Sequence, residues 1–195
     1  MRKIVMINWV SIDGYFAGPN GEMDWIIRDP EVDQALREPR DGNDPSRTGG
    51  SDTMLLGNVT YTLFENSWPP IATDPNAPED LRKVADEIAR MTKIVFSQSR
   101  PDVTWQNSKL FHDKLVQQVQ ELKQDEGSPI LIFGSGTIVQ QLTDAGLIDE
   151  YFIALTPVIL GKGKSLFRDV QKRNLRLADT RHFKSGNLLL RYDLG

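Results

Sequence analysis

The stretch ILIFGSGTIVQQL, residues 130–142, decides how this chain folds. Ile130 to Phe133 is a short, wholly apolar run and reads as a buried strand. Gly134-Ser135-Gly136 breaks it at once. Beyond, a helix over 137–145 runs to Gly146, a residue suited to end it in the left-handed conformation. A buried strand, a small-residue turn and a helix in direct succession form the repeating unit of an α/β sheet.

The same punctuation recurs upstream. Residues 53–56 (TMLL) read as a strand ending at Gly57, with a helix beginning near Asn58 or Val59. Residues 93–96 (KIVF) form another strand, opening into Ser97-Gln98-Ser99-Arg100. A helix over 79–91 carries Leu81, Val84, Ala85 and Ile88 on one face, with opposite charges four apart on the other. A helix over 110–123 is expected from Phe111, Leu115, Val119 and Leu122, capped by Asn107 or Ser108. Residues 2–9 read as a strand, 29–37 as a short helix, and 150–160 as a long strand. Residues 175–183 and 187–194 flank Lys184-Ser185-Gly186 and predict a terminal hairpin. The four prolines within 66–78 predict irregular structure, and the polar segment 39–52 a surface loop.

Helical connections let neighbouring strands run parallel, and a hairpin adds antiparallel ones. The expected fold is therefore α/β: a single domain over 1–195 with a central, mostly parallel mixed β-sheet, flanking helices and an antiparallel C-terminal hairpin. The 195 residues suit one domain. Lys+Arg 23 against Asp+Glu 27 gives a net charge of −4, which argues against coating nucleic acid. The absence of cysteine excludes thiolate metal sites and a Cys nucleophile. No window approaches the ~20 apolar residues of a membrane span. A soluble, cytoplasmic protein that binds neither nucleic acid nor membrane is expected.

Ligands of open α/β sheets gather at the carboxyl ends of the strands. Gly57-Asn58-Val59-Thr60, Ser97-Gln98-Ser99-Arg100 and Gly134-Ser135-Gly136-Thr137 place small residues and hydroxyls at three such ends. Small residues leave backbone N–H groups open, and a helix N-terminus carries partial positive charge, so phosphates bind there. Together the three point to an extended, phosphate-rich ligand such as a dinucleotide. Gly134-Ser135-Gly136 is not a full G-x-G-x-x-G, because Val139 holds its last place. His112, read within a helix, and His182, in a late strand, lack ligand spacing, so no metal site is expected. Trp9, Trp68 and Trp105 read as core or rim residues.

The order of these motifs resembles the dihydrofolate reductase-like superfamily, in particular the reductase domain of bacterial riboflavin biosynthesis and its stand-alone relatives. The matching stretches are SIDGYFAG (11–18), Met23-Asp24-Trp25, LLGNVTY (55–61), KIVFSQS (93–99), ILIFGSGTIVQQL (130–142) and LIDEYFIALTPVILGKGKSLF (147–167). The resemblance implies an NADPH-dependent oxidoreductase, similar to 5-amino-6-(5-phosphoribosylamino)uracil reductase, acting on a small heterocyclic or carbonyl substrate. Carried over, Gly57, Asn58 and Thr60 would meet the pyrophosphate. Ser97, Ser99 and Arg100 would meet the adenosine 2′-phosphate. Gly134, Ser135, Gly136, Thr137 and Ile138 would close over the pyrophosphate and nicotinamide. The loop 14–24 would cover the nicotinamide, Trp25 would stand beside the substrate, and Lys162 or Lys164 would welcome a ribose phosphate.

Two departures follow. Asn58 stands where relatives often carry Arg or Lys. Pro30 occupies the place of the acid that dihydrofolate reductases keep after the Trp, leaving Asp24, Asp29 and Glu31 as candidate proton donors. The alternatives are a non-catalytic nucleotide-binding or structural oligomer, or a true dihydrofolate reductase. The resemblance also implies a homodimer.

Overall fold

The computed structural model describes residues 1–37 and 50–195. The expected loop over 39–52 falls outside these except for its last three residues. The buried runs form strands β1 (Ile4–Ser11), β3 (Thr53–Gly57), β4 (Thr92–Phe96), β6 (Ile130–Phe133) and β7 (Glu150–Thr156), with β2 (Tyr15–Ala17) between the first two. β5 (Ser108–Phe111), β8 (Lys164–Ser165), β9 (Leu175–His182) and β10 (Leu188–Leu194) complete the set. The helices are α1 (Pro30–Arg37), α2 (Asn58–Thr73), α3 (Glu79–Arg90), α4 (Leu115–Gln124) and α5 (Gly136–Asp144).

The eight-stranded sheet runs β5-β4-β3-β6-β1-β7-β10-β9. All pairs from β5 to β7 are parallel, and β10 pairs antiparallel with β7 and β9. The mixed, mostly parallel sheet with its antiparallel C-terminal pair is the architecture expected from sequence. Alternation splits the core into two layers. Ile4, Met6, Ile130 and Ile132 face Val119 of α4 and Val139 and Leu142 of α5. Val5, Ile7, Met54, Leu56 and Leu131 face Val32 of α1 and Tyr61 of α2.

Four local expectations are corrected. Residues 108–111 are a strand rather than the start of a helix, because Leu110 and Phe111 suit either period. Parallel pairing with β4 and the stacking of Phe111 on Phe96, centroids 5.5 Å apart, decide for the strand. Asn107 consequently caps no following helix; its Nδ2 donates to Ala89 O at 3.1 Å, closing the end of α3. α2 continues through Pro69 and Pro70 into the segment expected to be irregular. Proline fixes φ near the helical value, and Phe64 meets Trp68 edge-on at 6.1 Å across this turn. Finally, β7 ends at Thr156, before Pro157, and the chain beyond supplies β8, which pairs with β2 in a separate two-stranded sheet.

Lys93 shows how α3 is anchored to the sheet. Its fully buried side chain donates to the carbonyls of Ile88, Ala89 and Met91 at 3.0, 3.0 and 2.8 Å and lies 4.3 Å from the Trp105 ring centroid. Burial pushes its pKa down to about 8. Lys93→Met strips three carbonyls of their donor, so urea denaturation at pH 7 is expected to show a loss of about 3 kcal/mol. The unfolded chain holds this proton to near 10.5 and the folded one releases it near 8. Wild-type stability therefore gains as pH rises between those values, and the gap to the variant widens from pH 8 to 10.

Candidate cofactor cleft

Because β4, β3, β6 and β1 are adjacent and parallel, their carboxyl ends reach the same edge of the sheet. One continuous cleft is lined along that edge by Asn8 and Trp9 in the second half of β1, Gly57–Thr60 at the end of β3, Ser97 and Gln98 after β4, and Gly134–Ile138 after β6. The three turns singled out in the sequence thus converge on one groove.

Hydrogen bonds stitch two of these turns together. The Ser135 hydroxyl accepts from Gly57 N at 2.7 Å and donates to Thr60 Oγ1 at 3.1 Å. Thr60 Oγ1 also accepts from Ser135 N at 3.2 Å. Gly134 and Ser135 are both left-handed, with φ of 55° and 54°. A Cβ on Gly134 would stand 2.9 Å from Thr60 Oγ1, and one on Gly136 would stand 2.7 Å from two ring carbons of Phe16. Side chains are therefore excluded where a ligand would approach the backbone. The first residues beyond, at Gly57 for α2 and Ser135 for α5, make no side-chain cap bond. Two helix N-termini thus bring uncapped amides and partial positive charge to the groove, the chemistry that suits a pyrophosphate.

The end of β4 is organised differently. Ser97 Oγ accepts from Arg100 N at 3.0 Å, and the Ser97 carbonyl takes the Nδ1 hydrogen of His112 at 2.8 Å. The Arg100 guanidinium is engaged within the chain. It donates to Asp102 O, Asn58 Oδ1, Thr62 Oγ1 and Glu65 Oε2 at 2.8, 3.2, 2.9 and 2.6 Å. It also lies 4.4 Å from the Tyr61 ring centroid. Burial works against the Glu65 carboxylate, but bonds from Thr104, Tyr61 and Arg100 outweigh it and lower its pKa. Arg100 and the exposed Ser99 stand outside the described cleft lining, whereas His112 and Lys114 belong to it. Sequence reasoning weighed His112 only as a metal ligand and passed over Lys114; their visible signal was their place at a strand end beside Ser97.

On the other side, none of the three acids singled out by sequence belongs to the described cleft lining. Asp24 and Glu31 are exposed. Asp29 caps α1: its Oδ1 accepts from Glu31 N at 2.9 Å, and its Oδ2 accepts from the Ser185 hydroxyl. Four described carboxyls do line the cleft, Asp33, Asp52, Glu87 and Asp113, and of these Asp33 shares the lining with Arg28 and Arg37 of its own segment and is the one whose pKa is raised. Burial raises its pKa, against the opposing pull of Arg37 and Arg28. Its signal was helical spacing: Asp33, Leu36 and Arg37 fall at i, i+3 and i+4 of α1, beside the buried Val32 and Ala35. Trp25 is half-buried and donates from Nε1 to Glu22 O at 3.1 Å. Lys162 is exposed and outside the described lining; Lys164 is within it. Among the described residues, no cluster of His, Cys, Asp and Glu would hold a metal ion, and no helix is long and apolar enough to cross a membrane.

The strand order, with its parallel core and antiparallel terminal pair, makes this a dihydrofolate reductase-like fold. More narrowly, the chain belongs to the RibD C-terminal domain family, whose match spans residues 2–189. It is 31% identical over 193 residues to uncharacterized protein YyaP of Bacillus subtilis (strain 168), covering 98% of this chain and 94% of that one. In structure it resembles a dihydrofolate reductase from Enterococcus faecalis complexed with NADP(H). The TM-score is 0.63 at 15% identity, covering 99% of this chain and 96% of that one. It also resembles a diaminohydroxyphosphoribosylaminopyrimidine deaminase/5-amino-6-(5-phosphoribosylamino)uracil reductase from Thermotoga maritima. There the TM-score is 0.64 at 15% identity, over all of this chain and 57% of the other. The chain is reductase-like in family and fold.

Proposed function

We propose that the protein is a cytoplasmic NADPH-dependent reductase of a small heterocyclic or carbonyl compound, as the ribosylaminopyrimidine reductases are. The observation that carries this reading is the convergence of three small-residue turns on one cleft. Gly57, Asn58, Thr60 and Gly134–Ile138 hold the pyrophosphate and the nicotinamide end, with backbone amides as the main donors. Ser97 receives the adenosine ribose. Lys114 supplies the positive charge beside the 2′-phosphate that Asn58 does not, with His112 next to it in the lining. Bound there, NADPH supplies the hydride, and the protein orients the acceptor and delivers a proton. Asp33, whose pKa burial raises, is the proposed donor of that proton. Arg28, Arg37 and Lys164 favour an acceptor that carries negative charge. Trp25 and Lys162, outside the described lining, are the further candidates for contact with the acceptor.

Quenching of tryptophan fluorescence by NADPH is the direct test; saturable binding supports the reading, and no binding of either NADPH or NADH ends it. Lys114→Gln is expected to weaken NADPH about tenfold and NADH hardly at all. Equal losses for both would remove Lys114 from the 2′-phosphate. The proposed assembly is a homodimer, which half-buried Leu188 and Leu190 and the 52% exposed Leu177 suit. A sedimentation mass of twice 22.0 kDa checks it.

A further inference from the structure

Asp13 stands two residues beyond the end of β1, where an acid before a glycine ordinarily shapes its own turn. In this fold it does more. Its Oδ1 accepts from Ser11 Oγ at 2.7 Å and from Leu160 N at 3.2 Å, and its Oδ2 accepts from Gly161 N at 2.7 Å. Ser11 Oγ in turn accepts from Tyr15 N at 3.0 Å. One carboxylate therefore ties the entrance of β2 to the loop that leads into β8. Burial opposes the charge, but these bonds prevail and lower its pKa, so the carboxylate is ionised throughout the neutral range.

What the tie holds is the two-stranded sheet at the cleft wall. Tyr15 pairs with Ser165 and Ala17 with Lys164, and Leu166 N donates to Gly14 O at 3.2 Å. Gly163 approaches so closely that a Cβ there would stand 2.4 Å from Ala17 O. Only two residues of β8 are paired, far too short a ladder to be stable alone. This small sheet places Phe16 against Gly136 and Lys164 in the cleft lining.

We propose that Asp13 is a positioning residue: it clamps the loop at 160–161 to the β1–β2 turn, and so sets Phe16 and Lys164 over the cofactor cleft. The proposal rests on the reductase reading for its consequence, though not for its structural part. A turn-shaping acid has no need of partners 147 and 148 residues away, and those are the two amides Asp13 holds.

Two measurements test it. The first is hydrogen exchange of the free protein, which needs no cofactor. Asp13→Ala should speed exchange at Leu166 and at the paired amides of β2 and β8, as well as at Leu160 and Gly161. Acceleration confined to Leu160 and Gly161 overturns the clamp whatever the cofactor does. The second is NADPH titration of Asp13→Ala, Phe16→Ala and the double variant. Asp13→Ala should weaken NADPH about tenfold, Asp13→Asn less because its amide oxygen keeps one acceptor, and the double variant should bind no worse than Phe16→Ala by more than about twofold. Strict additivity, or unchanged affinity in Asp13→Ala, overturns the positioning role. If wild type itself binds no dinucleotide, the reductase reading falls and the exchange result alone decides the clamp.

Discussion

Gly136→Val abolishes dinucleotide binding: the expected result is a loss of at least about 100-fold in NADPH affinity, or ~2.7 kcal/mol. The argument is steric. A Cβ at this position already lies 2.7 Å from two ring carbons of Phe16, well inside contact distance, and valine adds two methyl groups. Phe16 belongs to the small sheet at the cleft wall, so accommodating the branch means displacing the ring or narrowing the groove where amides must approach phosphate. Either outcome removes the ligand. Folding should suffer less, because Gly136 opens α5, where its backbone is helical and no left-handed conformation is required. NADPH titration beside circular dichroism and a melting curve checks both halves. Retained affinity in a folded variant would mean that the ligand does not pass over this turn.

That prediction uses what was most legible in the sequence. Ile130–Phe133 followed by Gly134-Ser135-Gly136 announces a buried strand and a close-approach turn within a few residues, so its meaning is local. The same holds for Leu56-Gly57 and for Phe96-Ser97, and the parallel order then brings the three together. Other parts depend on contacts far along the chain. The β2–β8 sheet joins segments about 150 residues apart, and two- and three-residue strands carry no periodic signal. Arg100 looked free to meet a phosphate because Glu65, its partner, lies 35 residues upstream on another element. Leu110-Phe111 fitted a helix as well as a strand until β4 supplied a neighbour. Among the acids near Trp25, sequence distance favoured Asp24, Asp29 and Glu31. The rotation of α1 instead turns Asp33 to the cleft and spends Asp29 on the helix cap.

Asp33→Asn follows from that rotation, and its expected effects have opposite signs. As proton donor, Asp33 should account for about 100-fold in turnover. Loss of NADPH absorbance with a ribosylaminopyrimidine acceptor should therefore slow by that factor, with NADPH affinity unchanged. Wild-type turnover should also fall as pH rises through the raised pKa of Asp33, and the variant should lack that limb. Stability moves the other way. Burial disfavours the charged carboxylate, so the folded chain keeps the Asp33 proton to higher pH than the unfolded chain, whose value is near 3.8. Wild type thus loses stability as pH climbs from 3.8 through the folded value, and an amide, which cannot ionise, does not. The variant should melt higher than wild type at pH 7, with the advantage vanishing near pH 3. A slower but more heat-resistant variant is the signature of a carboxyl kept in the cleft for chemistry rather than for folding. Wild-type turnover in Asp33→Asn would transfer the proton to another donor, and a lower melting point at pH 7 would make Asp33 a partner of Arg28 and Arg37 instead.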